Sequence, residues 1–247
     1  MAKFNTNGNA YTIIYATVIV VIVAFLLAFV SSALKPVQDA NVAIDKKQQI
    51  LSSLNLRNIP ASEAENKYAE VILLDPIFGA DASKPEKDGS VQGNIGQHDQ
   101  TGFTIATKDI NKDCRPLYVA KVDGQVKYII PVKGAGLWGG LWGYIALNDD
   151  CATVYGAFFS HEGETAGLGA RITEEWFQTS FNGKKIYAGD DDSSIALSVV
   201  KKGKEGAMSP DNYVNGVTGA TLTSNGVNDM IQSCLSEYND ILKAYKN

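Results

Sequence analysis

The sequence predicts an α+β fold, an antiparallel sheet with packed helices, preceded by one N-terminal transmembrane helix. Three observations predict it. The chain begins with a long apolar stretch, continues through a series of short β-rich runs, and ends in a helical repeat of apolar residues at spacings of three and four. Its 247 residues leave room for one ordinary domain plus an appendage.

The appendage comes first. No charged residue occurs between Lys3 and Lys35. The run YTIIYATVIVVIVAFLLAFVSSAL, residues 11–34, spans roughly 36 Å as a helix, enough for a bilayer core. Tyr11 and Tyr15 suit one membrane interface, where amphipathic rings are favoured. A cleaved signal peptide would have a shorter apolar region, although VSSA offers small residues at a cleavage site. A buried soluble helix would carry a polar stripe, and this segment has almost none. A retained anchor is therefore expected. Lys3 lies on one side of it and Lys35, Lys46 and Lys47 on the other, so the basic-residue rule favours the large domain inside.

Pro36 is expected to open a new segment. Val42, Ile44, Ile50, Leu51 and Leu54 suggest an imperfect amphipathic helix through Leu56. NIPAS ends it, and Ser62 is placed to cap a short helix over 63–70. Residues 81–102, rich in Gly, Asp, Lys and Ser, read as a long surface loop. These signals divide the chain into a tail and anchor (1–35), a helical and loop connecting region (36–100) and a β-rich domain (101–247).

Within that domain FTIATKDI, RPLYVAKVDG, QVKYIIPVKG, GYIALND and ATVYGAFFSH are strand candidates. Asp123-Gly124 is a hairpin signal, since both residues tolerate positive φ. Asp149-Asp150 turns another pair. TEEWFQTSF, 173–181, reads as a short helix capped by Thr173, and SSIALSVVKKG as a further strand. The last helix is expected from about Ser224 to Tyr245, with Val227, Met230, Ile231, Cys234, Leu235, Tyr238, Ile241, Leu242 and Tyr245 on its buried face.

Composition excludes several function classes. A net charge of −5 argues against nucleic acid, whose phosphates need a basic surface. Cys114, Cys151 and Cys234 lie far apart with no Cys-x-x-Cys spacing, which argues against zinc or iron–sulfur sites built from this chain alone. One disulfide among the three stays open. Two histidines, His98 and His161, do not make a histidine-rich metal site.

Three segments are more specific than a core requires. GAGLWGGLWGYIAL follows Lys133 and holds five glycines (134, 136, 139, 140 and 143) beside Trp138 and Trp142. It suits close approach to something flat, or a β-bulge region with two core tryptophans. HEGETAGLGARI, 161–172, places Glu162, Glu164 and Thr165 before a Gly-Leu-Gly turn. With His161 it suggests metal or acid–base chemistry, or a solvated turn. NGVTGATLTSNGV, 215–227, crowds Thr218, Thr221, Thr223 and Ser224 round Gly219 and Ala220 just before the last helix. A phosphate there would meet free backbone N–H groups, and Thr223 or Ser224 could equally cap the helix.

TGATLTSNGV resembles the flavinylation motif of covalent FMN-binding domains, and the two other segments resemble those of the C subunit of the bacterial sodium-translocating NADH:quinone reductase. The resemblance runs over nearly the whole chain. One departure is Asn215 where the motif leads with Asp. The resemblance implies a subunit of an NADH:ubiquinone reductase that transports Na⁺, with covalent FMN joined through its phosphate to the Thr221 hydroxyl. It implies Thr218, Gly219 and Ala220 around that bond and Trp142, Thr165, Gly167 and Leu168 lining the flavin, with Lys133, Lys201, Lys202 and Lys204 as phosphate-side candidates. It further implies a single-pass protein of the bacterial inner membrane, flavin domain in the periplasm, against the charge count. Partners would be the other members of a six-subunit membrane complex, with a flavin transferase during maturation. Two alternatives stand: the G subunit of an Rnf-type electron transport complex, and a cofactor-free membrane-anchored assembly protein.

Overall fold

Helix α1 (Asn9–Ser53) is the longest element of the computed structural model, which describes residues 8–82, 84–86, 101–189 and 191–246. The chain divides into two units, Met1–Asp45 and Lys46–Asn247. In the first, α1 is long and apolar enough to cross a membrane by length and composition, and its apolar side chains are exposed. Pro36 lies inside this helix and does not interrupt it, contrary to the sequence expectation. Proline removes one backbone bond but its fixed φ is helical, and good helix formers on both sides carry the helix through.

In the second unit the end of α1 buries Ile50 and Leu51, and Leu54 is buried in the turn that follows. Helix α2 (Ala61–Val71) starts directly after Pro60 with no side-chain cap, so Ser62 lies within its first turn. Strands β1 (Ile72–Leu74), β4 (Tyr118–Val122), β5 (Gln125–Ala135), β6 (Gly140–Leu147) and β7 (Val154–His161) form one sheet in that order, antiparallel throughout. A second pair, β2 (Ile77–Phe78) with β3 (Arg115–Pro116), is also antiparallel. The β4–β5 turn is Asp123-Gly124, with φ of 50° and 81°, both left-handed as the dipeptide predicts. Between β6 and β7 the Asp150 carboxylate accepts the Ala152 and Thr153 amides at 2.9 and 2.8 Å.

FTIATKDI does not form a strand. It makes two short 3-10 turns, Gly102–Thr104 and Thr107–Asp109. The buried Asp75 carboxylate accepts the Phe103 amide at 2.9 Å and the Thr101 hydroxyl, and Lys46 Nζ donates to the Phe103 and Ile105 carbonyls. Side chains thus take up the backbone groups that a neighbouring strand would satisfy. Burial lowers the Lys46 ammonium to about 8 despite the attraction of Asp75. The loop expected over 81–102 falls mostly outside the described residues.

Alternate residues of β5 and β6 face one layer, where Ile130, Val132, Leu141, Ile145 and Leu147 pack with Val227, Met230, Ile231 and Leu235 of helix α4 (Thr221–Lys246). Gly134 and Gly226 set how closely these elements approach. A Cβ on Gly134 would lie 2.7 Å from Met230 Cβ, and one on Gly226 2.4 Å from the Ala135 carbonyl. Helix α3 is shorter than expected, Glu175–Thr179, and Thr173 does not cap it. The Thr173 hydroxyl donates instead to the Ala170 carbonyl at 2.9 Å, within the preceding 3-10 turn. SSIALSVVKKG contributes only β8 (Ser198–Val200), which pairs parallel with β9 (Tyr213–Asn215), apart from the main sheet. The Ala196 and Leu197 amides go to the Ile186 carbonyl, which shortens the strand.

Candidate functional site

Helix α4 begins three residues earlier than its apolar repeat suggests. Ser224 N–H donates to the Ala220 carbonyl at 2.9 Å, closing the first turn with Thr221 as the first helical residue. Gly219, at φ 85°, makes the sharp entry; a side chain there would be strained, and its Cβ would sit 3.1 Å from Leu168 Cδ2. The expected caps are employed otherwise. Ser224 Oγ accepts the Val217 amide at 3.0 Å, and the Thr223 hydroxyl donates to Glu164 Oε2 at 2.5 Å. The N–H groups of Thr221, Leu222 and Thr223 have no acceptor within the helix. Thr221 itself is exposed.

Thr221 stands on a ridge between two depressions. One, of about 210 Å³, is lined by Leu137, Glu164, Thr165, Leu168, Gly169, Gly219, Ala220 and Thr221 among others. The other, of about 240 Å³, is lined by Lys201, Lys202, Gly216, Thr218, Gly219, Thr221 and Ser224 with their neighbours. The structure thus brings Thr218, Gly219, Ala220, Thr221, Thr165 and Leu168 together, with Lys201 and Lys202 in the second depression. Gly167 occupies the turn between Thr165 and Leu168 at φ 76° with nothing within 4 Å of its Cβ position. The Thr165 carbonyl closes that turn by accepting the Leu168 and Ala170 amides, both at 3.1 Å. Lys204 lines neither depression; its amide donates to the Lys201 carbonyl in a surface turn.

Trp142 is not brought to this ridge. Leu141 points into the layer shared with α4, so its neighbour Trp142 points to the other face of the sheet. There its indole N–H donates to Gln49 Oε1 at 3.1 Å. Trp142 and Lys133 line a separate cavity of about 540 Å³ with Thr107, Lys108, Gly134, Gly140 and Leu141. Lys133 Nζ donates to the Lys108 carbonyl at 2.7 Å. The glycines of this segment also serve a different purpose from the one their spacing suggests. Gly134, Gly136 and Gly143 admit Met230, Glu164 and the Phe158 carbonyl respectively, which is close packing within the domain rather than room for a flat ligand.

Glu164 is the residue that sequence reasoning undervalued. Read as part of a solvated turn, it is buried and joins all three singled-out segments. Its Oε1 accepts the Trp138 amide at 2.8 Å, its Oε2 accepts the Thr223 hydroxyl, and its own amide donates to His161 Nδ1 at 3.1 Å. Burial works to raise its carboxyl, but the Thr223 hydroxyl, the Trp138 and Leu137 amides and His161 outweigh it and hold the group below its ordinary value. Among the described residues no cluster of His, Cys, Asp and Glu is arranged to hold a metal ion.

An exposed hydroxyl at the start of a long helix, with amides left over from the helical ladder, two lysines and an apolar flank, suits a phosphorylated ligand. Residues 136–236, which contain all of these features, match the family model of the FMN-binding domain. The chain is 31% identical over 241 residues to the C subunit of the Na(+)-translocating NADH-quinone reductase of Haemophilus ducreyi, covering 93% of this chain and 90% of that protein. It is 29% identical over 255 residues to the corresponding protein of Pseudomonas aeruginosa, covering 94% of each. The crystal structure of the same subunit from Parabacteroides distasonis is 40% identical, with a TM-score of 0.71 over 85% of this chain and 96% of that one. The crystal structure of Shewanella oneidensis NqrC, 23% identical with a TM-score of 0.65, shares the fold. The chain belongs to the family of C subunits of the Na(+)-translocating NADH-quinone reductase.

Proposed function

We propose that this protein is the covalent flavoprotein subunit of a sodium-translocating NADH:quinone reductase, with FMN held by a phosphoester on Thr221. The observation that carries the proposal is the placement of the Thr221 hydroxyl, exposed on the first turn of α4 between an apolar cleft and a lysine-lined one. The amides of that turn and the positive helix end suit a phosphate. Lys201 and Lys202 supply cations on the same side, while Leu168 and the Thr165 turn suit the flavin's apolar and polar edges. Gly219 and Ala220 keep the approach to the hydroxyl open. Both depressions are smaller than the roughly 300 Å³ at which ligand pockets begin, so retention falls to the covalent bond. Once bound, FMN supplies one-electron transfer.

The Thr221 hydroxyl is consumed in the attachment and takes no part in turnover. Attachment is assigned to a flavin transferase that draws FMN from FAD. Family membership supports a six-subunit membrane complex in which this chain passes single electrons between an intramembrane iron–sulfur centre and the FMN of the B subunit. The apolar part of α1 supports a single-pass anchor in a bacterial inner membrane, and the family likeness, against the charge count, supports a periplasmic flavin domain. Coexpression with a flavin transferase, followed by peptide mass spectrometry, should find one FMN phosphoester on Thr221. Thr221→Ala should abolish it and Thr221→Ser retain it. An adduct on Thr218 or Thr223 would overturn the assignment.

A further inference from the structure

Glu164 is a buried carboxylate whose charge the fold does not need. It is 7% exposed and lines the same cleft as Thr221. A glutamine would have the same length. Its oxygen could accept the Trp138 amide and its NH₂ could donate to Thr223 Oγ1. A buried charge carries a desolvation penalty that an amide avoids.

The structure nevertheless makes room for the charge and fixes it with a donor on each carboxylate oxygen. A Cβ on Gly136 would lie 2.4 Å from Glu164 Oε1, and one on Gly169 2.5 Å from Oε2. The Trp138 amide and the Thr223 hydroxyl donate to the carboxylate at 2.8 and 2.5 Å, and the Glu164 backbone amide donates to His161 Nδ1 at 3.1 Å. A negative charge thus stands in the wall of the apolar cleft, and Lys201 and Lys202 line the depression on the other side of the ridge. A fixed charge a few ångströms from a group whose charge changes acts on that change directly.

We propose that Glu164 is an electrostatic positioning residue for the flavin: its fixed carboxylate lowers the reduction potential of the cofactor attached at Thr221. The inference rests on the Thr221 reading. Adding an electron beside a fixed negative charge is disfavoured, so the oxidised flavin is held relative to the reduced one. The lysines act in the opposite sense, nearer the phosphate.

The test uses the full chain in detergent, loaded by coexpression with a flavin transferase, as wild type, Glu164→Gln and Thr223→Val. Mass spectrometry establishes the adduct, and a spectroelectrochemical titration then reads the potential. Glu164→Gln should carry one FMN and show a reduced-to-oxidised ratio, at fixed ambient potential, raised on the order of tenfold. For the one-electron couple that the relay uses, that is about 59 mV. Thr223→Val keeps the charge but removes a donor that disperses it, and should shift the potential the other way by a smaller amount. An unchanged or more negative potential in Glu164→Gln overturns the proposal. So does a folded Glu164→Gln without adduct, which would assign the carboxylate to recognition by the transferase. If Glu164→Gln does not fold, Thr223→Val decides, and the absence of a negative shift overturns the proposal. Failure of the Thr221 reading is distinct, because the wild type itself would then lack the adduct.

Discussion

Gly169→Ala tests the carboxylate clamp without touching any of its hydrogen-bonding groups. The new methyl would sit 2.4 Å from Thr223 Oγ1 and 2.5 Å from Glu164 Oε2, the two atoms that bond each other. Thr223 is β-branched and on a helix, so its χ1 is restricted, and Glu164 is also held by the Trp138 amide. Relief therefore requires breaking the Thr223–Glu164 bond, and losing a hydrogen bond to a charged group costs about 1.5–3 kcal/mol. Alanine returns about 0.4–1 kcal/mol through the unfolded chain. The net loss is about 0.5–2.6 kcal/mol, and at about 2–4 °C per kcal/mol the melting temperature should fall by about 1–10 °C. Thermal unfolding of the full chain in detergent, followed by tryptophan fluorescence, measures it. The same substitution in a Thr223→Ala background should be milder by about 1 kcal/mol, since the blocking hydroxyl is gone. Strict additivity of the two substitutions, or an unaltered melting temperature in Gly169→Ala alone, would refute the reasoning.

Two more outcomes follow from the geometry. Burial, with Asp150 and Asp149 nearby, pushes the Cys151 thiol up to about 12 from an ordinary 9. The folded state therefore holds a proton that the unfolded chain releases, and the stability this gives is full below pH 9 and lost as pH rises towards 12. Cys151→Ala should show a shallower alkaline fall in melting temperature than the wild type; equal slopes would count against it. Trp142→Ala, which deletes the bond to Gln49, should lower the melting temperature while leaving the potential and fluorescence of an attached flavin unchanged. A changed flavin with unchanged stability would return Trp142 to the cofactor.

Much of the architecture is legible in the sequence because it is written in local patterns. The period of α4 marks the face that packs on the sheet, and Asp123-Gly124 marks the β4–β5 turn. What misleads is chemistry supplied from far along the chain. FTIATKDI has strand composition, but Asp75, 28 residues before Phe103, takes up its amide. Thr223 and Ser224 look like caps, yet one is bound to a carboxylate 59 residues away and the other to the Val217 amide. Trp142 is tied to the flavin by its neighbours in sequence, and strand alternation turns it to the opposite face of the sheet. Glu164 has no periodic signal; its role depends on where the His161–Thr165 turn meets α4, which only the folded chain displays.

The early start of α4 also limits how the chain can change in length. Thr221 and Val227, the first core residue after the buried start of the helix, lie on one uninterrupted helix. Inserting a single residue between them would turn the hydroxyl by about 100° and advance it by about 1.5 Å relative to the core. It would then face away from both depressions while the apolar repeat stayed intact. Insertions in the surface turn at 203–206, beyond Lys201 and Lys202, carry no such penalty, because the β8–β9 pairing is set outside it. Length variation among functional variants of this protein should therefore be tolerated before β9 and barred within the first two turns of α4.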